Sequence, residues 1–307
     1  MRIYLSKIKE SWIIDRLRKD WYDSNPEIST KKLMFSDIIW IISPWIWNKI
    51  PKYYLKRKKV VCSIYHFDFD SFGEKERKNF ENRDKFVDIY HVISSKTKED
   101  LQTLTNKKIF NIPFWIDGSK WFEIENKVQL REKYNINQQS FLVGSFQRDT
   151  EGKDLISPKL IKGPDILVDN IIDLNKEKNN LLVILAGTRR QYVIKKLKEK
   201  NINFKYFEMV DEEQLNELYN LLDLYIVSSR IEGGPQAILE CAATKTPIVS
   251  TDVGIASEIL NKKSIYKLDS FLNAEPDVEY AYKKVKNFIK PSGIKLFKSM
   301  FEKVYEN

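Results

Sequence analysis

Three features of the chain predict an α/β protein of two parallel-sheet domains. Short apolar strands alternate with helical segments of about ten residues, the pattern of a parallel sheet covered on both faces. At 307 residues the chain can bury two cores of ordinary size. Charge and aromatic content also change along it. Lys and Arg outnumber Asp and Glu by 24 to 16 in residues 1–120 but only by 28 to 27 afterwards, and all seven tryptophans fall within the first 121 residues.

Taken in order, strands are predicted in the first half at Arg2–Leu5, Asp37–Ile42, Val60–Tyr65, Ile89–Ser94 and Ile109–Ile112, with helices at Trp12–Trp21 and Thr97–Leu104. The second half is more regular. Strands are predicted at Phe141–Ser145, Leu181–Ala186, Phe204–Met209, Leu224–Val227 and Pro247–Ser250, each run apolar and short. Between them, helical spacing covers Pro164–Leu174, Arg189–Lys200 and Glu212–Leu222, and Pro235 is predicted to open a helix carrying Glu240. The expected domains are 1–120, joined by a terminal helix over 294–307, and 121–293. A hinge is expected in Phe114–Trp121, which follows Pro113 and holds Asp117-Gly118.

Composition excludes several classes. The longest apolar run, Ile38–Trp47, is about half of the ~20 residues a spanning helix needs, and Pro44 interrupts it. Lys7, Lys9 and Glu10 break up the N-terminal apolar residues, so no secretory signal is expected. Cys62 and Cys241, set among apolar neighbours in separate halves, read as small buried hydrophobes of a reducing, cytoplasmic compartment.

The most informative stretch is 222–260. An apolar strand runs into Glu232-Gly233-Gly234-Pro235, a helix follows, and a second strand ends in Asp252-Val253-Gly254. Flexible backbone at a helix start, with unpaired N–H groups and the positive end of the dipole, suits an anion such as a phosphate.

These residues resemble the retaining glycosyltransferases of family 4, which have the GT-B fold of two Rossmann-like domains facing a central cleft. The resemblance rests on Glu232 to Glu240, similar to the family's E-x7-E motif, and on Thr246-Pro247-Ile248-Val249, Asp252-Val253-Gly254 and Tyr219 to Ser229. Upstream, Val143 to Arg148 and Lys162-Gly163-Pro164-Asp165 look like the family's first C-domain strand with its Arg and Lys-Gly elements. Clear resemblance covers roughly 140–262; earlier it is loose, chiefly Asn111 to Asp117. The chain departs from the family at Ser6-Lys7-Ile8-Lys9-Glu10, where a glycine-rich loop is common, and at Ile255, where a second glycine is usual.

The resemblance implies transfer from a nucleoside diphosphate sugar to a glycan or lipid-linked acceptor. No metal or other cofactor is expected, because cations and oriented N–H groups can stabilise the diphosphate leaving group. Arg148, Lys162, Gly233, Gly234 and the N–H groups of Gln236 and Ala237 would hold the diphosphate. Glu240 would accept from the ribose hydroxyls, and Met209 and Val210 would contact the base. Glu232 would sit beside the reacting sugar carbon. His66, at the end of its strand, is a better candidate for the catalytic histidine than His91, which lies within one. Lys153 competes with Lys162 for the cation's place across a long loop. Asp68-Phe69-Asp70 spells the metal-binding tripeptide of the other large glycosyltransferase fold, but is read as a loop. A sugar-nucleotide epimerase and a non-catalytic nucleotide-sugar or glycan-binding module are the alternatives.

Trp45–Lys59 carries six cations, no acid and four aromatics. An anionic membrane surface, a solvated basic helix with core aromatics, or nucleic acid would each suit it. The resemblance favours the membrane, with the protein peripheral on its inner face, and nucleic acid least.

Overall fold

The computed structural model describes residues 1–7 and 13–306, which form two compact units, Met1–Trp115 with Lys290–Asn307, and Ile116–Ile289. Residues Ile8 to Trp12, which include most of the predicted N-terminal loop and the predicted start of the first helix, lie outside the described residues, as does Asn307.

The first unit holds a five-stranded parallel sheet of β1 (Ile3–Leu5), β2 (Ile38–Ile41), β3 (Lys59–Ile64), β4 (Ile89–Val92) and β5 (Ile109–Asn111), ordered as in the chain. Period-two alternation sends its side chains to two cores. On one face Ile39, Ile41, Val60, Cys62, Tyr90 and Val92 pack with Trp47, Leu55, Phe80 and Leu101 from the connections. On the other, Trp40 meets Trp21 of the helix Ile13–Ser24 and Phe297 and Phe301 of the helix Ser292–Glu306, with ring centroids 5.1–5.6 Å apart. The chain's last helix therefore completes the core of the unit that its first residues begin. Trp21, Trp40, Trp47, Phe80, Tyr90, Phe114 and Trp115 are all buried in this unit.

A polar chain is buried in that second core. Trp40 Nε1–H donates to Ser63 Oγ (2.8 Å), Ser63 lies 2.9 Å from His91 Nδ1, and His91 Nε2–H donates to the Ile112 carbonyl (2.8 Å). Burial lowers the His91 pKa to about 4, outweighing that last bond. His91 is thus a neutral, fully satisfied core residue.

The second unit has six parallel strands: β6 (Phe141–Ser145), β7 (Leu181–Ala186), β8 (Phe204–Phe207), β9 (Leu224–Val227), β10 (Ile248–Thr251) and β11 (Ile265–Tyr266), in the order β11-β10-β9-β6-β7-β8. Helices Pro164–Glu177, Gln191–Glu199, Glu212–Leu221 and Gln236–Ala243 connect them. Cys62 and Cys241 are buried free thiols in different units. Among the described residues no helix is long and apolar enough to cross a membrane.

Candidate functional site

The site follows from strand order. The chain moves outward from β6 through β7 to β8, then returns to the other flank of β6 as β9 and continues to β10 and β11. Where an open parallel sheet reverses in this way, the loops leaving the two central strands run to opposite faces and leave room for a ligand at the carboxyl ends. Here those loops are Phe146–Asp149 after β6 and Ser228–Pro235 after β9.

Side chains from three segments meet there. Gln147 Nε2 donates to the Lys162 carbonyl (2.8 Å), and Ser229 Oγ lies 3.2 Å from both Gln147 Oε1 and Glu232 Oε2. Lys162 Nζ is ion-paired with the same Glu232 oxygen, both side chains being partly buried. The backbone is tied as well: the N–H groups of Arg230 and Ile231 donate to Ile161 O at 2.9 and 3.2 Å. Arg230 also forms a two-point ion pair with Asp165, at 2.8 and 2.6 Å, and that hydrogen bonding lowers the Asp165 pKa.

Two glycines make this assembly sterically feasible. Gly163 has φ +58°, and a Cβ on it would lie 1.8 Å from the Ser228 carbonyl oxygen. Gly254 has φ +52°, and its Cβ would lie 2.1 Å from the Gly233 oxygen. Any side chain at either place would push the Lys162 loop or the Asp252-Val253-Gly254 loop off the Glu232 segment.

The structure moves the helix start by one residue. The helix begins at Gln236, with Pro235 at the cap position, because its ψ of 116° is extended although its φ of −55° suits a helix. The Ile238 N–H closes on the Pro235 carbonyl (3.0 Å), and proline offers no side-chain cap to the first turn. Gln236 and Ala237 are the first two residues of the helix and follow Gly234 directly.

Sequence reasoning missed a third cation. Lys159, partly buried, has its pKa lowered by burial and by the nearby cations of Arg148 and Lys162. Its carbonyl accepts from Lys162 N–H (2.8 Å), which places the two lysines on one tight turn. The sequence signal was the three-residue spacing before Lys162. Lys153, the competitor considered from sequence, is exposed on the 151–158 excursion.

A buried ion pair positions the Arg148 loop. Arg190, fully buried, donates to the carbonyls of Ser145 (2.8 Å) and Gln147 and lies 3.2 Å from Asp149. Asp149 in turn accepts the N–H groups of Tyr192 and Val193 at the start of the helix Gln191–Glu199. Burial pushes the Asp149 pKa up and the Arg190 pKa down, against their mutual attraction.

The remaining expected residues are distributed as follows. Glu240, 5% exposed, accepts from the Tyr219 hydroxyl (2.8 Å), whose pKa burial and that carboxylate push far up, so the phenol remains a donor. Met209 and Val210 lie beyond the strand predicted to contain Met209. β8 ends at Phe207, because Asp211 caps the next helix by accepting from Gln214 N–H (2.8 Å) and the chain must turn before it. Met209 is 79% exposed after the edge strand, two strands or about 10 Å from β6. In the first unit β3 ends at Ile64, and exposed His66 stands two residues past it. Asp68 Oδ2 accepts from Ser71 Oγ (2.6 Å) within a turn that stacks Phe67 on Phe69.

Trp45–Lys59 is not one surface. It makes up most of the β2–β3 connection, ends on the first residue of β3, and runs toward the amino end of that strand from the carboxyl end of β2. Trp47 is buried and donates Nε1–H to Asn79 Oδ1 (2.9 Å), and Tyr54 packs on the core, whereas Trp45 and Tyr53 are exposed.

The fold with these two parallel sheets is of the GT-B class. Among solved structures, HepE of Anabaena in complex with UDP and glucose superposes with a TM-score of 0.77 at 11% identity, covering 100% of this chain and 99% of that one. The sucrose-phosphate synthase of Thermosynechococcus elongatus does so at 0.72 and 12% identity, covering 98% and 81%. Residues 156–304 match the family model described as glycosyl transferases group 1. Two curated relatives are similar at 27% identity: the alpha-galactosylglucosyldiacylglycerol synthase of Streptococcus pneumoniae over 183 residues, 55% of this chain, and protein CapJ of Staphylococcus aureus over 166 residues, 52% of it. The matched part spans less than half of those relatives, 45% and 41% of their lengths. The similarity to group 1 glycosyl transferases thus lies in residues 156–304, while the fold likeness extends over the whole chain.

Proposed function

We propose that the protein is a retaining, metal-independent glycosyltransferase of the family 4 type, cytoplasmic and peripheral to a membrane. It would move a sugar from a nucleoside diphosphate sugar to a glycan or lipid-linked acceptor, with the second unit holding the donor and the first the acceptor. The observation that carries this reading is the convergence of Arg148, Lys159, Lys162 and Glu232 at the strand reversal, beside the start of the helix Gln236–Ala243. Relatives point the same way: HepE binds UDP and glucose, and the pneumococcal relative is named as a glycolipid synthase.

In this mechanism the bond from the sugar's anomeric carbon to the diphosphate breaks with its electron pair on the leaving oxygen, and an acceptor hydroxyl oxygen bonds to that carbon on the same face while its proton passes to the departing diphosphate. The three cations, Gly233, Gly234 and the N–H groups of Gln236 and Ala237 neutralise that charge. Glu240 orients the ribose and Met209 and Val210 the base. Glu232 and His66 serve the reacting sugar. Glu232 also holds Lys162 until a diphosphate competes for it.

The test is a mass-spectrometric screen of sugar nucleotides against glycan and lipid-linked acceptors. Glu232→Gln is expected to lower turnover about 10²–10³-fold, and Lys162, released from its carboxylate, still binds nucleoside diphosphate in a thermal-shift assay. Unchanged turnover in this variant sinks the assignment. Product without an acceptor would mark an epimerase, and ligand binding with no product a binding module. Excess chelator is expected to leave activity intact; loss restored by Mn²⁺ or Mg²⁺ overturns metal independence.

A further inference from the structure

We infer that Tyr219 is a positioning residue, whose hydroxyl fixes the Glu240 carboxylate so that the donor site selects a ribonucleoside diphosphate over its 2′-deoxy counterpart. This selection rests on the proposed donor site, in which Glu240 meets the ribose. Tyr219 stands in the last turn of the helix Glu212–Leu221 and Glu240 inside the helix Gln236–Ala243, 21 residues apart in the chain. Both side chains are buried, and the phenol donates to Glu240 Oε2 at 2.8 Å.

A carboxylate in this place is a net cost to folding. Glu240 is the one charged residue of a helix whose Ile238, Leu239, Cys241, Ala242 and Ala243 are all buried, and an apolar side chain would be accommodated there at lower cost. Its presence points to a ligand that brings hydrogen-bond donors, and a ribose diol brings two. Tyr219 commits its single proton to the carboxylate. Burial and that carboxylate push the phenol pKa far up, so it stays a donor at any working pH. The carboxylate, an acceptor only, is then held in one plane, which fixes where its lone pairs point.

Tyr219 itself has no room to swing away. Phe146, Tyr225 and Trp121 pack its ring, with centroids 4.9, 5.4 and 5.9 Å from it. Its carbonyl accepts from Thr246 Oγ1 (2.9 Å), which lies 2.7 Å from the hydroxyl of Thr244, the C-terminal cap of the Glu240 helix. The two helices are therefore tied at both the backbone and the hydroxyl of this tyrosine. The neighbouring phenol, Tyr225, serves the Arg148 loop instead and accepts the Phe146 N–H (2.9 Å). With the carboxylate so fixed, a nucleotide lacking its 2′-hydroxyl leaves a buried acceptor unmet, and sites built around a hydrogen bond reject such analogues.

The full chain is titrated calorimetrically with UDP and with dUDP, which differ only at the 2′ position, and with GDP and dGDP as a purine pair. The ribonucleotide is expected to bind about 30-fold more tightly, the worth of one hydrogen bond to a buried charge. Tyr219→Phe keeps the ring and is expected to lower that ratio to about threefold, chiefly by weakening the ribonucleotide. Glu240→Ala brings the ratio to about one. Tyr225→Phe removes a hydroxyl from the same cluster and leaves the ratio unchanged. Thr246→Val, which unties the Tyr219 carbonyl, lowers the ratio in the same direction and is read in place of Tyr219→Phe where circular dichroism shows that variant unfolded. An undiminished ratio in Tyr219→Phe, with Glu240→Ala still abolishing it, overturns the role of Tyr219 and leaves Glu240 on the ribose. A matching fall in Tyr225→Phe makes packing the cause and overturns it too. Equal affinities within both pairs for the wild type overturn the ribose reading of Glu240 and the inference with it.

Discussion

The two units are both parallel α/β sheets, yet they use their strands differently. In the second, β9 returns beside β6 and the order reverses; in the first, β1 to β5 follow one another across the sheet without reversal. A reversal separates two loops at the centre of the sheet, and unit 2 fills that place with Lys162, Glu232, Gln147 and Ser229. Unit 1 instead spends its polar groups inside, as in the Trp40–Ser63–His91–Ile112 chain. The comparison shows that a strand's carboxyl end becomes a charged site only where topology leaves room between loops. It also explains why one unit's sequence reads as a motif and the other's as a core.

The comparison can be broken experimentally because six of the seven tryptophans belong to unit 1, so their fluorescence reports that unit while circular dichroism reports both. The largest effect is expected from Arg190→Met. It leaves Asp149 as a buried, unpaired carboxylate and should destabilise unit 2 by about 3–5 kcal/mol, without changing the tryptophan transition. Coincident loss of both signals would show that the units unfold together. Gly163→Ala comes next, at about 3 kcal/mol, since the left-handed φ and the Ser228 carbonyl both reject a Cβ. Donor affinity should fall with it, and an unaltered chemical denaturation midpoint would refute the close approach.

The third effect belongs to unit 1 and depends on pH. Burial holds the folded His91 pKa at about 4, against the ordinary 6.5 of the unfolded chain, so between those values the unfolded chain binds the extra proton. Its contribution is complete above about pH 6.5 and is lost as pH falls toward 4. At pH 5 the loss is about 2 kcal/mol. The tryptophan-detected transition should shift on acidification, and His91→Gln should shrink the shift. An identical pH response in the variant would remove His91 as its cause.

Legibility in the sequence followed the same division. β6, β7 and β9 begin and end where the apolar runs do, because strands buried on both faces are continuous apolar segments. Glu232, Gly233, Gly234 and Glu240 were legible because they lie within nine residues on one strand–loop–helix turn. β8 was drawn too long because Met209, though apolar, is exposed in a turn that the Asp211 cap requires. The helix Glu74–Asp84 was missed, since it is almost wholly charged and buries only Phe80 and Arg83. For Trp45–Lys59 composition left a membrane surface, nucleic acid and core aromatics open, because it does not reveal that the connection runs from one end of the sheet to the other, burying Trp47 and leaving Trp45 and Tyr53 exposed.

What the sequence determined by itself was local: the period of each apolar run, the turn residues between them, and a short acid–glycine–acid motif whose partners are neighbours in the chain. Tertiary structure decided which distant residues meet. It brought Lys159 to Arg148 and Lys162, set Gly254 against Gly233, placed Arg190 beneath the Arg148 loop, and tied Lys58 to the carbonyls of Met34 and Ser36. Periodicity reports which side of an element is apolar, whereas pairing across the fold depends on strand order and register, which only long-range packing sets.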